Sequence, residues 1–313
     1  MHRRSFLAAA AGSLAFLSLA GSAVAGRPAY AEWDSETVKR KFGEFAETGK
    51  MPGDLGAWLR DPSVQEIEPF QCFDNVWYVG LRWVESYVIR TSAGYVLIDT
   101  TENPGHVLRN LKKIGVPYGD VKYVLMTHGH FDHVGGAVEV KKALPNARFA
   151  MGERGWEEAI SKKGPDKNAH DARMIPRDIV LKDGETVTLG DTKFLALSTP
   201  GHTWGTFSYV YPVFWNGKRH VGVTIGGLGL NAIEGPSQVE AFIHSMERLA
   251  DPALGIEADL TAHPFTTGLI EKIPEIRRMR KDGLNLLVNR KEFLEHLEEL
   301  KANARARLRK MRG

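Results

Sequence analysis

Apolar residues along this chain recur in two rhythms. Short runs rich in β-branched and aromatic residues predict strands at 76–80, 86–90, 94–99, 121–126, 147–150, 193–198, 206–211, 219–225 and 258–262. Apolar positions spaced three and four apart predict helices at 104–114, 136–144, 153–162, 236–250 and 290–310. In the last of these, Phe293, Leu294, Leu297 and Leu300 form one stripe for a core. The strands fall into two groups with helices between them, an α/β organisation. Residues 34–67 break the rhythm, mixing charges with Gly43, Gly49, Pro52-Gly53 and Gly56. A short helix and loops draped on the domain, by its cleft, are expected there.

The N-terminus has a different character. Arg3-Arg4-Ser5-Phe6-Leu7 followed by the apolar stretch from Leu7 to Ala20 resembles a twin-arginine export signal. Ala23-Val24-Ala25 is a small-x-small cleavage site, with Ala29-Tyr30-Ala31 a second. Residues 1–25 are therefore expected to be a signal peptide and residues 26–67 an N-terminal extension, with the functional domain at 68–313. Periplasmic localisation follows. That route carries proteins that fold before export, which suits a metalloprotein. Beyond the first 25 residues no stretch is long and apolar enough to span a membrane, so no stable membrane insertion is expected after cleavage.

Composition narrows the function without choosing it. The full chain of 313 residues has a formal charge of +3. The signal segment holds Arg3 and Arg4 and no acid, so its removal leaves +1, with no electrostatic case for nucleic acid. Arg305, Arg307, Arg309, Lys310 and Arg312 form a basic tail, expected to be a solvated helix end. Cys72 is the single cysteine and is expected to be a small buried residue.

The chemistry concentrates in Thr127-His128-Gly129-His130-Phe131-Asp132-His133. Three imidazoles and a carboxylate that close, if buried, need a shared cation. A nitrogen and oxygen donor set without thiolate suits zinc. The run lies between a predicted strand and a predicted helix, at the carboxyl end of the strand, where open α/β sheets place their chemistry. His202, in Ser198-Thr199-Pro200-Gly201-His202-Thr203, and His263, ending the strand Leu260-Thr261-Ala262, are two further isolated candidates. His106, His170, His220, His244 and His296 have no motif around them and are expected to be surface or structural.

Together these positions resemble the metallo-β-lactamase superfamily, with its H-x-H-x-D-H run, a later Gly-His and a last His. Asn75-Val76-Trp77-Tyr78-Val79-Gly80 and Gly94-Tyr95-Val96-Leu97-Ile98-Asp99 are similar to its opening strands. The chain is most similar to class B β-lactamases of subclass three, which use no cysteine ligand. Ala31-Glu32-Trp33 and Glu68-Pro69-Phe70 also match that subclass, although about thirty residues intervene here. The resemblance implies a four-layer αβ/βα sandwich with the site in a cleft at one edge. It implies two Zn2+, one held by His128, His130 and His202 and the other by Asp132, His133 and His263. Zinc would lower the pKa of a held water towards ~7, and Asp132 would orient the resulting hydroxide for attack on a carbonyl.

Two positions depart from the subclass. Gly226-Gly227-Leu228-Gly229-Leu230 stands where serines are usual, and where related lactonases and thioesterases place a metal-bridging Asp. That counts against those thioesterases and lactonases, and leaves a β-lactam carboxylate short of donors. Serine at Gly227 or Gly229 is expected to supply one. Trp204 stands where proline is common, either lining a substrate groove or packing under its loop. A β-lactam is the expected small-molecule substrate. The alternatives are a zinc-dependent lactonase or esterase and, of another class, a non-catalytic metal-binding scaffold.

Overall fold

The computed structural model describes residues 28–161, 174–230 and 233–313. The expected signal peptide, His170 and the last residue of the helix expected at 153–162 lie outside the described residues.

Among the described residues all nine expected strands are present, together with three more. The first sheet runs, in spatial order, through β1 (Phe70–Phe73), β2 (Val76–Tyr78), β3 (Tyr87–Thr91), β4 (Gly94–Ile98), β5 (Val121–Leu125), β6 (Arg148–Gly152) and β7 (Ile179–Leu181). The second contains β8 (Thr186–Leu189), β9 (Thr192–Ser198), β10 (Phe207–Trp215), β11 (Lys218–Thr224) and β12 (Ala258–Asp259), ordered β12-β11-β10-β9-β8. The additional strands, β1, β7 and β8, are three or four residues long, too short for a periodic signal. The strand expected at 258–262 is regular for only two residues. Its ladder nevertheless continues, because Leu260 and Ala262 donate to the carbonyls of Val223 and Ile225.

Strand alternation produces the layers. In β3, Tyr87 and Ile89 face the second sheet while Val88 faces outward. In β4, Val96 and Ile98 face inward and Leu97 outward. The outward set packs on α4 (Pro104–Lys113), α6 (Ala137–Ala143) and α7 (Glu153–Ile160) through Val107, Leu111, Val140 and Trp156. The far face of the second sheet packs on α8 (Pro236–Leu249) and α10 (Arg290–Arg312) through Phe242, Met246, Phe293 and Leu297. Helix, sheet, sheet and helix thus stack in four layers, as expected. Cys72 is fully buried between the sheets.

The N-terminal extension is more ordered than a short helix with loops. It forms α1 (Ser35–Thr48), α2 (Gly53–Leu59) and α3 (Pro62–Gln65). Asp34 caps α1 by accepting from the Thr37 N–H at 2.8 Å, and Gly49 ends it in the left-handed region. Its start is pinned to α9 (Leu269–Met279), where the Ser35 N–H and hydroxyl both donate to the Glu271 carboxylate. Its end is held by Arg307, which donates to the Ala46 carbonyl at 3.1 Å. Helix α9 goes unpredicted because Pro274 interrupts its interior.

Candidate metal centre

The run His128 to His133 occupies the loop after β5 and the four-residue helix α5 (Phe131–Val134), as the strand-loop-helix pattern predicts. Two backbone bonds bring the sheets together around it. Phe207 N–H donates to the Thr127 carbonyl at 2.8 Å, and Glu85 N–H donates to the Ala262 carbonyl at 3.0 Å. The β9–β10 loop thereby delivers His202, and the segment after β12 delivers His263.

The six expected ligands fall into two triads, His128 with His130 and His202, and Asp132 with His133 and His263. In the first, three ring nitrogens converge. His128 Nε2 lies 3.0 Å from His130 Nδ1 and 3.1 Å from His202 Nε2, and His202 Nε2 lies 2.9 Å from His130 Nδ1. The outer nitrogens fix what these atoms carry. His202 Nδ1–H donates to the Gly229 carbonyl at 2.6 Å, leaving a lone pair on Nε2. The Thr127 hydroxyl donates to Asp99 Oδ2 at 2.6 Å and so accepts from His128 Nδ1–H at 3.1 Å. Burial holds His128 well below the usual imidazole range, and His202 below it; burial and the neighbouring His202 press His130 down to about 3. Neutral rings whose lone pairs face one another at this range repel unless a cation lies among them. The donors therefore fit zinc.

The second triad is electrostatically different. His133 is fully buried, with Nδ1 2.7 Å from Asp99 Oδ2 and Nε2 3.1 Å from Asp132 Oδ2. Burial opposes its charge, but the two carboxylates outweigh burial and hold the ring well above the usual imidazole range. Burial likewise opposes ionisation of Asp132, and His133 overrides it, holding the acid well below the usual carboxylate range. His263 Nε2 lies 3.8 Å from Asp132 Oδ2, while its Nδ1–H donates to the Trp83 carbonyl at 2.8 Å. The mixed nitrogen and oxygen set fits a second divalent ion, taking the place a proton would otherwise hold on His133.

Asp99 supports both triads, which no sequence motif reveals. It accepts from Thr127 N–H at 2.8 Å as well as from the Thr127 hydroxyl and His133. Its backbone lies in the left-handed region at φ 54°, uncommon for a residue with a side chain. Two further acids were not anticipated. Glu85 is fully buried, neither oxygen has a hydrogen-bond partner among the described residues, and burial with nearby Asp99 holds its carboxyl well above the usual range. Glu102 accepts from the Trp83 indole N–H at 3.0 Å, and burial with Asp132 pushes its carboxyl up to about 8.

The glycines after β11 are required by space. A Cβ on Gly226 would lie 2.0 Å from the Phe207 carbonyl oxygen, and one on Gly227 would lie 2.5 Å from His202 Cδ2. The expected benefit of serine at Gly227 is thus corrected: a side chain there displaces a proposed ligand before it can meet a substrate. Trp204 is 42% exposed and so does not pack under its loop. Glu158 of α7 anchors that loop, accepting from the Thr203 hydroxyl at 2.8 Å and the Gly205 N–H at 2.9 Å. His106 and His220 are buried structural residues beside the Gly80 carbonyl and Glu257; His296 pairs with Asp259, and His244 is exposed.

Residues 80–213 match the profile of the metallo-beta-lactamase superfamily. The chain is 29% identical over 194 residues to a hydroxyacylglutathione hydrolase of Acidiphilium cryptum, covering 58% of this chain and 72% of that one. It is 35% identical over 114 residues to a hydroxyacylglutathione hydrolase of Bdellovibrio bacteriovorus, covering 35% of this chain and 37% of that one. Among solved structures it is similar to a subclass B3 metallo-β-lactamase of Bradyrhizobium japonicum. That match has a TM-score of 0.67 and 29% identity, over 79% of this chain and 96% of that one. The metallo-β-lactamase of Legionella gormanii superposes with a TM-score of 0.70 and 27% identity, over 79% of this chain and 98% of that one.

Proposed function

We propose that this chain, a member of the metallo-β-lactamase superfamily and a metal-dependent hydrolase, is an exported dinuclear zinc enzyme that opens β-lactam rings. The observation carrying the proposal is the pair of buried donor triads without a thiolate. Likeness to the two lactamase structures over four-fifths of the chain supports the substrate class. Zinc bound there would supply a Lewis acid and an activated water. His128, His130 and His202 would hold one ion and Asp132, His133 and His263 the other. Asp99 fixes the His133 tautomer, and the carbonyls of Gly229 and Trp83 do the same for His202 and His263. Asp132 would then orient the attacking water, and Trp204, exposed on the loop that carries His202, would be a substrate contact.

A second reading has its own support. Two of the sequence relatives are named hydroxyacylglutathione hydrolases, so ester, lactone or thioester hydrolysis at the same centre is the alternative. Gly226 and Gly227 leave no room for the bridging Asp expected of such enzymes, and this favours the β-lactam. Zinc-loaded protein assayed against nitrocefin, a carbapenem, a homoserine lactone, a nitrophenyl ester and an acyl thioester separates the two. Turnover of nitrocefin or the carbapenem is expected. Rapid hydrolysis of the esters with every β-lactam left intact transfers the assignment to the second reading, and inactivity on all five leaves a metal-binding scaffold.

We also propose that residues 1–25 direct twin-arginine export to the periplasm. Changing Arg3 and Arg4 together to Lys is expected to leave the precursor in the cytoplasm, as fractionation would reveal. Undiminished periplasmic protein from that double variant would refute the route.

A further inference from the structure

Trp83 meets His263 in two ways. Its carbonyl accepts the His263 Nδ1–H, and its indole stacks on the imidazole with centroids 5.5 Å apart and planes at 19°. The indole N–H is committed to Glu102, which fixes the rotation of the ring. Phe42 of α1 stacks in turn on Trp83 at 6.3 Å, and on Phe265 at 4.9 Å with planes at 7°. Phe265 lies two residues beyond His263, its ring 5.6 Å from the imidazole. One side chain of the N-terminal extension thus contacts both aromatic neighbours of a proposed ligand. Helix α1 can transmit this because Glu271 and Arg307 pin its two ends. Arg82, next to Trp83, also donates to the Trp33 carbonyl at 2.9 Å. Among the described residues the first triad has no such connection: the ring contacts of His128, His130 and His202 are with other imidazoles.

We infer that α1 is a positioning element for one half of the metal centre, with Phe42 acting through Trp83 and Phe265 to hold His263 in place. The inference rests on the dinuclear reading. Partners that orient a ligand typically govern metal affinity by ten- to a hundredfold. Loss of Phe42 should therefore weaken the ion held by Asp132, His133 and His263 and spare the other.

The test is calorimetric titration of zinc into metal-stripped, full-length mature protein in the presence of a competing chelator. Wild type should bind two ions. Phe42→Ala should bind the first with unchanged affinity and the second roughly tenfold or more weakly. Phe42→Tyr, which keeps the flat ring, should restore the second ion. Two unaltered affinities in Phe42→Ala would overturn the inference while leaving the dinuclear reading intact. A wild type that binds one ion would overturn both. If Phe42→Ala weakens both ions, Phe42→Leu decides, since it retains apolar volume without the ring. Selective loss of the second ion in that variant supports positioning, and equal loss of both rejects it.

Discussion

His202→Ala is expected to retain one zinc per chain in place of two and to lose roughly a thousandfold of kcat/KM, about 4 kcal/mol of transition-state stabilisation. His202 Nε2 lies 2.9 and 3.1 Å from the donor atoms of His130 and His128. Its removal leaves two imidazoles where a tetrahedral ion needs three protein donors. The Gly229 carbonyl also loses its partner. Elemental analysis of dialysed protein, with kcat/KM on the best substrate, would check both parts. Full activity with one tightly held ion would show that the three-histidine half is not where the reaction is catalysed.

Gly227→Ser is expected to act in the same direction, although no proposed ligand is changed. The new Cβ would lie 2.5, 2.6 and 2.7 Å from three carbons of the His202 side chain, closer than real Cβ atoms approach other heavy atoms. Either the imidazole turns out of its Gly229 bond or the strand end retreats. Overpacking of this kind costs roughly 1–3 kcal/mol, and here the strain is delivered to the centre itself. Zinc content should fall towards one ion per chain, with at least a tenfold fall in kcat and a lower melting temperature. A serine variant with both ions, unchanged melting and a smaller KM would mean that the loop yields, and that the added hydroxyl meets the substrate as donor counting alone suggests.

The contrast between these two positions marks what the chain discloses before it folds. Four of the six proposed ligands are neighbours in sequence, and their strand-loop-helix flanks are local, so their spacing and residue types declare them. His202, in a Pro-Gly turn after a recognisable strand, and His263, ending another, become legible once a shared pattern joins them to the cluster. Long strands and amphipathic helices are legible for the same reason, since their periods are local properties. Asp99 is not, because its partners Thr127 and His133 lie 28 and 34 residues away and no spacing rule links them. The role of Gly227 is hidden because it depends on a ring from another loop. The extension misleads differently. Its glycines and charges suggest loops, yet α1 is set by its caps and by Phe42, whose partners are Trp83 and Phe265.

The division of donors between the sheets has a mechanical consequence. His128, His130, Asp132 and His133 hang from the first sheet, whereas His202 and His263 hang from the second. Each triad therefore takes donors from both halves of the sandwich. Any ion seated in either one is a rivet across the seam, opposing separation of the halves as well as serving chemistry. Because metal would bind only the assembled pair, its free energy would add to the cohesion of the whole domain. The durability of this protein would then be set by the zinc supply as much as by its apolar core.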